Sequence, residues 1–129
     1  MAKAGKELNQ FGKLLMKEVR DDVIYNYNAI IEGNLGSEES KYIQKIVEQG
    51  NINKEDLEKI VTEMIDRTIF SFLWFFEMNE EFAIVTNTGK TTKNVVELSD
   101  GLSGEMLSDE GWIKKYSEYK QLDDWMKEK

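Results

Sequence analysis

Proline, cysteine and histidine are all absent from the 129 residues of this chain. Without cysteine, no disulfide or thiolate metal site can form, so the fold has to be held together by an apolar core. Without proline, no helix is interrupted by a residue that lacks the backbone donor. Histidine is the side chain that most often transfers protons near neutral pH, and cysteine is the strongest common nucleophile, so both of these catalytic groups are missing. We therefore expect a binding protein rather than an enzyme, with no catalytic residue, no metal and no cofactor.

Composition indicates one ordered domain spanning residues 1–129. Charged residues make up 33% of the chain, but hydrophobic residues make up 40%, and that apolar content is too high for a disordered protein. The N-terminal residues lack the apolar run of a signal peptide. The longest apolar run, residues 69–76, is far shorter than the roughly 20 residues of a membrane helix. We expect a cytoplasmic protein that does not bind membranes.

The formal charge of −8 is unevenly distributed along the chain. Residues 1–20 carry five Lys or Arg against two Glu, so the acidic excess lies in the remaining residues. An acidic surface repels phosphate backbones and accelerates the capture of a basic protein. The charge therefore disfavours nucleic acid as a partner and favours a basic protein, although solubility alone also explains it.

Residues 6–32 are predicted to form a long amphipathic helix, because their apolar side chains recur at steps of three and four. Gly33 follows as a C-cap that can adopt the left-handed conformation. The predicted buried face consists of Leu8, Phe11, Leu15, Val19, Val23, Tyr27 and Ile30.

Two further helices are predicted from their capping residues. Ser37 precedes a helix that Gly50 ends, and Asn53 precedes a longer one with acids in its first turn. Over residues 69–76 the longer helix is apolar almost all round. Because such helices are normally covered on several sides, we expect it to be the central element of the core.

The remaining residues predict a hairpin and a C-terminal helix. Residues 82–86 and 94–98 are short β-branched runs around a turn at residues 87–90. Gly89 and Lys90 resemble the end of a phosphate-binding loop, but the required earlier glycine is Ile84, so we reject that motif. Residues 110–119 are predicted to be helical, with a final turn at residues 122–126.

The predicted fold class is α+β and mainly helical, with a three-helix core, a small antiparallel hairpin and a C-terminal helix. The predicted core comprises Leu15, Val19, Ile46, Ile60, Met64, Ile69, Phe72, Phe76, Ile84, Val95 and Trp112.

Candidate binding residues cluster after the hairpin, in a glycine-containing segment over residues 99–105 that offers several polar groups. A loop that bonds its own backbone explains the same pattern. Three acids near the negative C-terminal end of the long helix also favour a cation or a partner. An exposed tryptophan among acids near the C-terminus would suit a binding hot spot. The candidate site residues are Glu77, Asp100, Ser103, Glu105, Asp109 and Trp125.

Three segments together resemble a group of small, acidic, uncharacterised bacterial proteins, some of the immunity-protein type. They are residues 72–74, residues 97–105 and residues 110–113, and the likeness extends over residues 66–119 with a fainter match at residues 20–22. The resemblance implies a bacterial cytosolic protein with toxin neutralisation as one role. It carries no catalytic residues onto this chain.

Three functions follow as hypotheses. The first is a non-enzymatic acidic protein that binds a basic protein such as a toxin or nuclease. The second is a small-ligand or cation-binding domain, or a weak carboxylate-based hydrolase, centred on Glu77, Asp100 and Glu105. The third is a homo-oligomeric structural protein joined through the amphipathic first helix.

Overall fold

A computed structural model of the chain describes residues 2–87 and 91–128, and helices account for most of them. This confirms the mainly helical α+β fold with a small hairpin. The elements are helix α1 (Ala2–Leu15), a π-helical turn (Met16–Arg20), α2 (Asp21–Ile31), α3 (Glu38–Gln49), α4 (Lys54–Met78), strands β1 (Val85–Thr86) and β2 (Lys93–Asn94), two 3-10 helices (Val95–Leu98 and Leu102–Met106), α5 (Trp112–Tyr116) and α6 (Leu122–Lys127).

The predicted first helix exists, but the π-helical turn changes which side chains it buries. In that turn the Asp21 N–H donates to the Met16 carbonyl, five residues earlier. One additional residue in a turn rotates the following helix by about 100°. Arg20 and Ile24 are therefore buried, whereas Val19 and Val23, predicted to be buried, are exposed.

The predicted C-cap at Gly33 and the predicted N-caps at Ser37 and Asn53 are confirmed. Gly33 has φ +79° and completes a Schellman motif, in which the Asn34 N–H donates to the Ala29 carbonyl at 2.8 Å. The Ser37 side chain accepts from the N–H three residues later, and Asn53 caps α4 in the same way, accepting from the Asp56 N–H at 3.0 Å.

The main core lies between α1, the C-terminal half of α4, the two 3-10 helices and α5. Of the predicted core, Ile69, Val95 and Trp112 are buried, and Leu15 and Ile84 pack against them partly buried. The buried cluster consists of Leu8, Met16, Ile69, Leu73, Val95, Leu102, Met106, Trp112 and Ile113.

The other half of the predicted core is wrong. In α4 the described residues cover one side of the helix and leave the other open, so the helix is not central as its composition suggested. Phe76 is partly buried. The predicted core residues that are exposed are Val19, Ile46, Ile60, Met64 and Phe72.

The hairpin is shorter than its sequence pattern predicts. Strands β1 and β2 pair antiparallel with Val85 opposite Asn94 and Thr86 opposite Lys93. Asn94 accepts from the Val96 N–H at 3.0 Å and starts a 3-10 helix where a strand was predicted. Most of the predicted turn, residues 88–90, lies outside the described part of the chain.

The C-terminal third contains more core than predicted. The segment read as a loop, residues 99–107, holds a 3-10 helix whose Leu102 and Met106 are fully buried. Helix α5 follows Gly111 and is shorter than the predicted helix, whereas α6 matches the predicted final turn. Among the helices of the described residues, none is long and apolar enough to cross a membrane.

Candidate functional site

Arg20 is fully buried and uses all five of its N–H donors. Two go to Asp66 of α4, from Nε to Oδ1 at 2.6 Å and from Nη2 to Oδ2 at 3.0 Å. The other three go to Ser117 Oγ at 2.7 Å and to the carbonyls of Tyr119 and Lys120 at 3.2 and 3.0 Å. A guanidinium has five donors, so no hydrogen-bonding capacity remains for a ligand.

Asp21 extends this network on the other side of Ser117. Its carboxylate accepts from Ser117 Oγ at 2.5 Å and from the Glu118 N–H at 3.1 Å. Burial raises the pKa of the Asp66 carboxyl, although the hydrogen bonds and charge of Arg20 oppose that rise. The network is therefore structural, and it fixes the segment between α5 and α6 against α2 and α4.

That anchoring places α6 beside the N-terminal end of α4, where a cleft of about 440 Å³ opens. Trp125, one of the predicted site residues, forms one wall and is half-buried. The cleft combines aromatic surface with three carboxylates. Its lining residues are Tyr27, Asn28, Ile31, Glu32, Lys54, Glu55, Glu58 and Trp125.

The lining of the cleft is net negative, because it carries three carboxylates and one ammonium group, that of Lys54. Lys120 Nζ already lies 5.9 Å from the centroid of the Trp125 ring, which is a cation–π distance. A hydrogen bond from Lys120 to Glu128 raises the pKa of the lysine, and the nearby Glu55 charge adds to that rise. A basic side chain entering the cleft would compete with Lys120 for the Trp125 ring and would meet the three carboxylates of the lining.

Tyr27 adds an unsatisfied polar atom to this cleft. Its hydroxyl is buried and has no hydrogen-bond partner among the described residues. Burial raises the pKa of Tyr27, and the charge of Glu58 raises it further, so the phenol stays neutral.

Three of the predicted site residues bond to their own chain. The Glu77 carboxylate accepts from the Ser103 N–H at 2.5 Å, and Glu105 accepts from Ser99 Oγ at 2.6 Å. Ser99 Oγ also accepts from the Gly101 N–H at 3.0 Å. The bond from Ser103 to Glu77 holds the second 3-10 helix against α4, and the bonds to Ser99 and Glu105 lie within the segment itself. The segment is therefore hydrogen-bonded to its own chain, which is the alternative to a ligand site.

The remaining predicted site residues lie apart from the Trp125 cleft. Asp100 is exposed, and Asp109 is also exposed, with Lys127 Nζ at 3.8 Å from its carboxylate. Neither of them, nor Glu77, Ser103 or Glu105, lines the cleft. The structure therefore brings Glu77 and Ser103 together and places Trp125 at a separate site.

Sequence reasoning missed most of the cleft. From the sequence, Glu55 and Glu58 are explained as acids near the positive end of the helix dipole of α4. Tyr27 is explained as part of the apolar face of the predicted first helix. Their convergence depends on where α6 docks, and the residue that sets the docking, Arg20, looks like an ordinary surface cation in the sequence. The usable signal was the tryptophan among acids at position 125.

Within residues 2–87 and 91–128, no group of three or more Asp or Glu side chains is arranged to hold a metal ion. The carboxylates of Glu77 and Glu105 are already hydrogen-bonded to the protein.

No protein-family model matches the chain, and no curated protein or solved structure matches it either. The resemblance to immunity-type proteins stays a prediction from the residues.

Proposed function

We propose that the protein is a non-enzymatic binding protein that captures a basic protein partner. The observation that supports this function is the cleft in which Trp125 and Tyr27 lie beside Glu32, Glu55 and Glu58. Aromatic walls with carboxylates at the rim suit the side chain of an arginine or lysine, because the ring faces attract the cation and the carboxylates pair with it.

The cleft would contribute mainly to the affinity of binding, and the acidic surface around it mainly to the association rate. Burial of an arginine against Trp125 would supply the central anchor, as aromatic and arginine side chains do at interface hot spots. The acidic surface around it would steer the encounter and raise the association rate, and added salt would weaken that effect. Binding through this cleft is therefore expected to weaken as salt concentration rises.

A toxin or nuclease is the kind of basic partner that fits this proposal. Enzymes that act on nucleic acids carry basic surfaces for phosphates, and an acidic protein can occupy such a surface in place of the substrate. The immunity-type role expected from the resemblance would follow from that occupation. It requires no catalytic group on this chain.

Affinity capture from a lysate of the native host tests the proposal. The wild-type protein should retain a basic protein at low salt and release it at moderate salt, with identification by mass spectrometry. A Glu55→Gln/Glu58→Gln variant should lose that protein. A Glu80→Gln/Glu81→Gln variant, which makes the same charge change beyond the other end of α4, should retain it.

Two results would count against the proposal. One is capture of the same protein by the Glu55→Gln/Glu58→Gln variant, since the cleft would then be irrelevant. The other is equal loss of capture in both double variants, which would show that the interaction depends only on the net charge of the protein. Once a partner is identified, Trp125→Leu should weaken its binding by at least tenfold, as expected for an aromatic anchor.

A further inference from the structure

Helix α4 carries an apolar stripe on the side that the described residues leave open. The stripe runs through Ile60, Met64, Phe72, Phe75 and Met78, and Val19 of the π-helical turn flanks it. Their steps of three, four and eight residues keep them on one broad face of a helix. Between 42% and 59% of the surface of each residue is exposed, so this face is uncovered over almost the whole length of α4.

The size of this face distinguishes it from scattered surface hydrophobics. With each of these side chains about half exposed, the stripe leaves on the order of 600 Å² of apolar surface open. The largest apolar patch of a typical monomer is about 300–600 Å². Two such stripes packed together would bury about 1,200 Å², which is the lower limit for a specific, stable protein interface.

The two halves of the face differ in shape. The N-terminal half is a groove of about 370 Å³ between α4 and the segment formed by the π-helical turn and α2. Val19, Val23, Ile60 and Met64 are among its lining residues, and none of the lining residues is charged. The C-terminal half is a ridge of aromatic rings. Phe75 and Phe76 contact edge to face, with ring centroids 5.2 Å apart. The N-terminal half is therefore concave, whereas the half-exposed rings of Phe72 and Phe75 stand out from the helix surface as a ridge.

A second copy of the chain is the occupant that satisfies both halves at once. If two α4 helices lie antiparallel about a twofold axis near Thr68, the Phe72 ring of one copy lies over the partner's Met64. The ridge of each copy then fills the groove of the other, which is the reciprocal contact that a twofold interface requires. In this arrangement the two helix dipoles are antiparallel, so the positive end of each helix lies toward the negative end of the other.

Charge is compatible with this pairing at the centre of the interface. Residues 68–76 contain no charged side chain, and Arg67 beside them is neutralised by Glu63, with 2.6 Å between Nε and Oε2. The overall charge of −8 on each copy opposes association. Salt screens that repulsion, with a Debye length of about 8 Å at physiological ionic strength.

We infer that two copies of this chain form a dimer through the open face of α4, with antiparallel helices and each aromatic ridge seated in the other copy's groove. This interface is separate from the Trp125 cleft and does not depend on the proposed function. The dimer should strengthen with salt, whereas capture of a basic protein should weaken with salt, so failure of one proposal is distinguishable from failure of the other.

Sedimentation equilibrium of the purified protein at tens of micromolar tests the pairing. The wild-type mass should be twice the 15.0 kDa of one chain. Met64→Glu and Phe75→Glu should each give the mass of one chain with an unchanged circular dichroism spectrum, because both side chains are already exposed. Tyr42→Glu on α3 replaces a more exposed aromatic residue away from this face and should keep the doubled mass.

A single-chain mass for the wild-type protein would overturn the inference and leave the face to a different protein. A doubled mass that survives both glutamate variants would overturn it as well, because the contact would then lie elsewhere.

Cysteine cross-linking tests the orientation, and it remains informative if a glutamate variant fails to fold. The chain has no cysteine, so Thr68→Cys creates a single thiol, placed near the proposed twofold axis. Mild oxidation should link it rapidly to the partner's Cys at the same position. Tyr42→Cys should remain unlinked under the same conditions. An unlinked Thr68→Cys variant would rule out the antiparallel arrangement.

Discussion

Arg20 and Asp66 form a buried bidentate ion pair, with 2.6 Å between Nε and Oδ1 and 3.0 Å between Nη2 and Oδ2. Arg20 is fully buried and Asp66 almost so. The pair joins the π-helical turn to the middle of α4, and the remaining donors of Arg20 hold the segment that precedes α6. One side chain thereby connects three parts of the fold that are far apart in sequence.

Replacing Arg20 by Met should destabilise the protein strongly. The change leaves the Asp66 carboxylate buried without its partner, and such losses cost about 3–5 kcal/mol. It also frees the carbonyls of Tyr119 and Lys120, so α6 should detach early. We expect a large decrease in the free energy of unfolding by urea, together with increased amide exchange in residues 117–127.

The double variant Arg20→Met/Asp66→Leu provides the matched control. Because it removes both charges, it should be more stable than Arg20→Met alone. A double variant that is less stable than the single variant would show that packing around Arg20, and not its pairing with Asp66, explains the loss.

Gly12→Ala should destabilise the protein and Gly5→Ala should not, although both glycines lie in α1. A Cβ at Gly12 would lie 2.2 Å from the Trp112 ring, whereas a Cβ at Gly5 would meet nothing within 4 Å. Overpacking costs about 1–3 kcal/mol, which exceeds the gain of about 1 kcal/mol in helix propensity. Thermal unfolding should show a lower Tm for Gly12→Ala and an unchanged or higher Tm for Gly5→Ala.

The fluorescence of Trp112 offers an independent readout of this contact. Displacement of the ring toward solvent in Gly12→Ala should shift its emission to longer wavelength, and Trp74→Phe and Trp125→Phe backgrounds isolate the signal. A Gly12→Ala protein with wild-type Tm and emission would mean that the ring moves aside without loss of packing.

Glu77→Ala should destabilise the protein, because the buried Ser103 loses the acceptor of its backbone N–H. A buried donor left without a partner costs about 1–3 kcal/mol. Glu77→Gln should recover most of this, since its amide oxygen can accept the same hydrogen bond. Glu80→Ala, at an exposed position nearby, should change the free energy of unfolding by less than about 0.5 kcal/mol. Urea titrations of the three variants compare them directly.

Asp124 should make stability depend on pH in the acid range. The hydrogen bond from Lys114 is the main cause that lowers the pKa of Asp124 below 3.8, and the Gln121 N–H adds to it. A group with a lowered folded pKa stabilises the native state above its unfolded pKa, and that contribution is lost as the pH falls through the folded pKa. Asp124→Asn should therefore be less stable than wild type at neutral pH, by a modest amount because Asp124 is partly exposed.

The difference between wild type and Asp124→Asn should close as the pH falls from about 4 toward 2. Urea unfolding across that range measures it. Lys114→Met should reduce the pH dependence of the wild-type protein in the same range. A stability difference that stays constant down to the lowest pH would show that Asp124 acts only through local helix capping.

Local chemistry was enough to predict the helix caps at Gly33, Ser37 and Asn53. Ser37 and Asn53 cap their helices because a short polar side chain can satisfy an N–H of the first turn whatever surrounds it. Gly33 adopts positive φ at the end of α2 for a similarly local reason. The apolar content of α4 was also read correctly as exceptional, but its burial was not, because composition does not state how many sides of a helix the rest of the chain can cover.

The sequence by itself determined a mainly helical chain with capped helices, a short hairpin and an acidic surface, because these properties depend on neighbouring residues and on composition. The tertiary structure decided the rest. The π-helical turn rotated Val19 and Val23 outward and Arg20 inward, the Arg20 network placed α6, and that placement brought Trp125 to the glutamates of α4. Each of these outcomes depends on contacts between residues tens of positions apart, which no local pattern records.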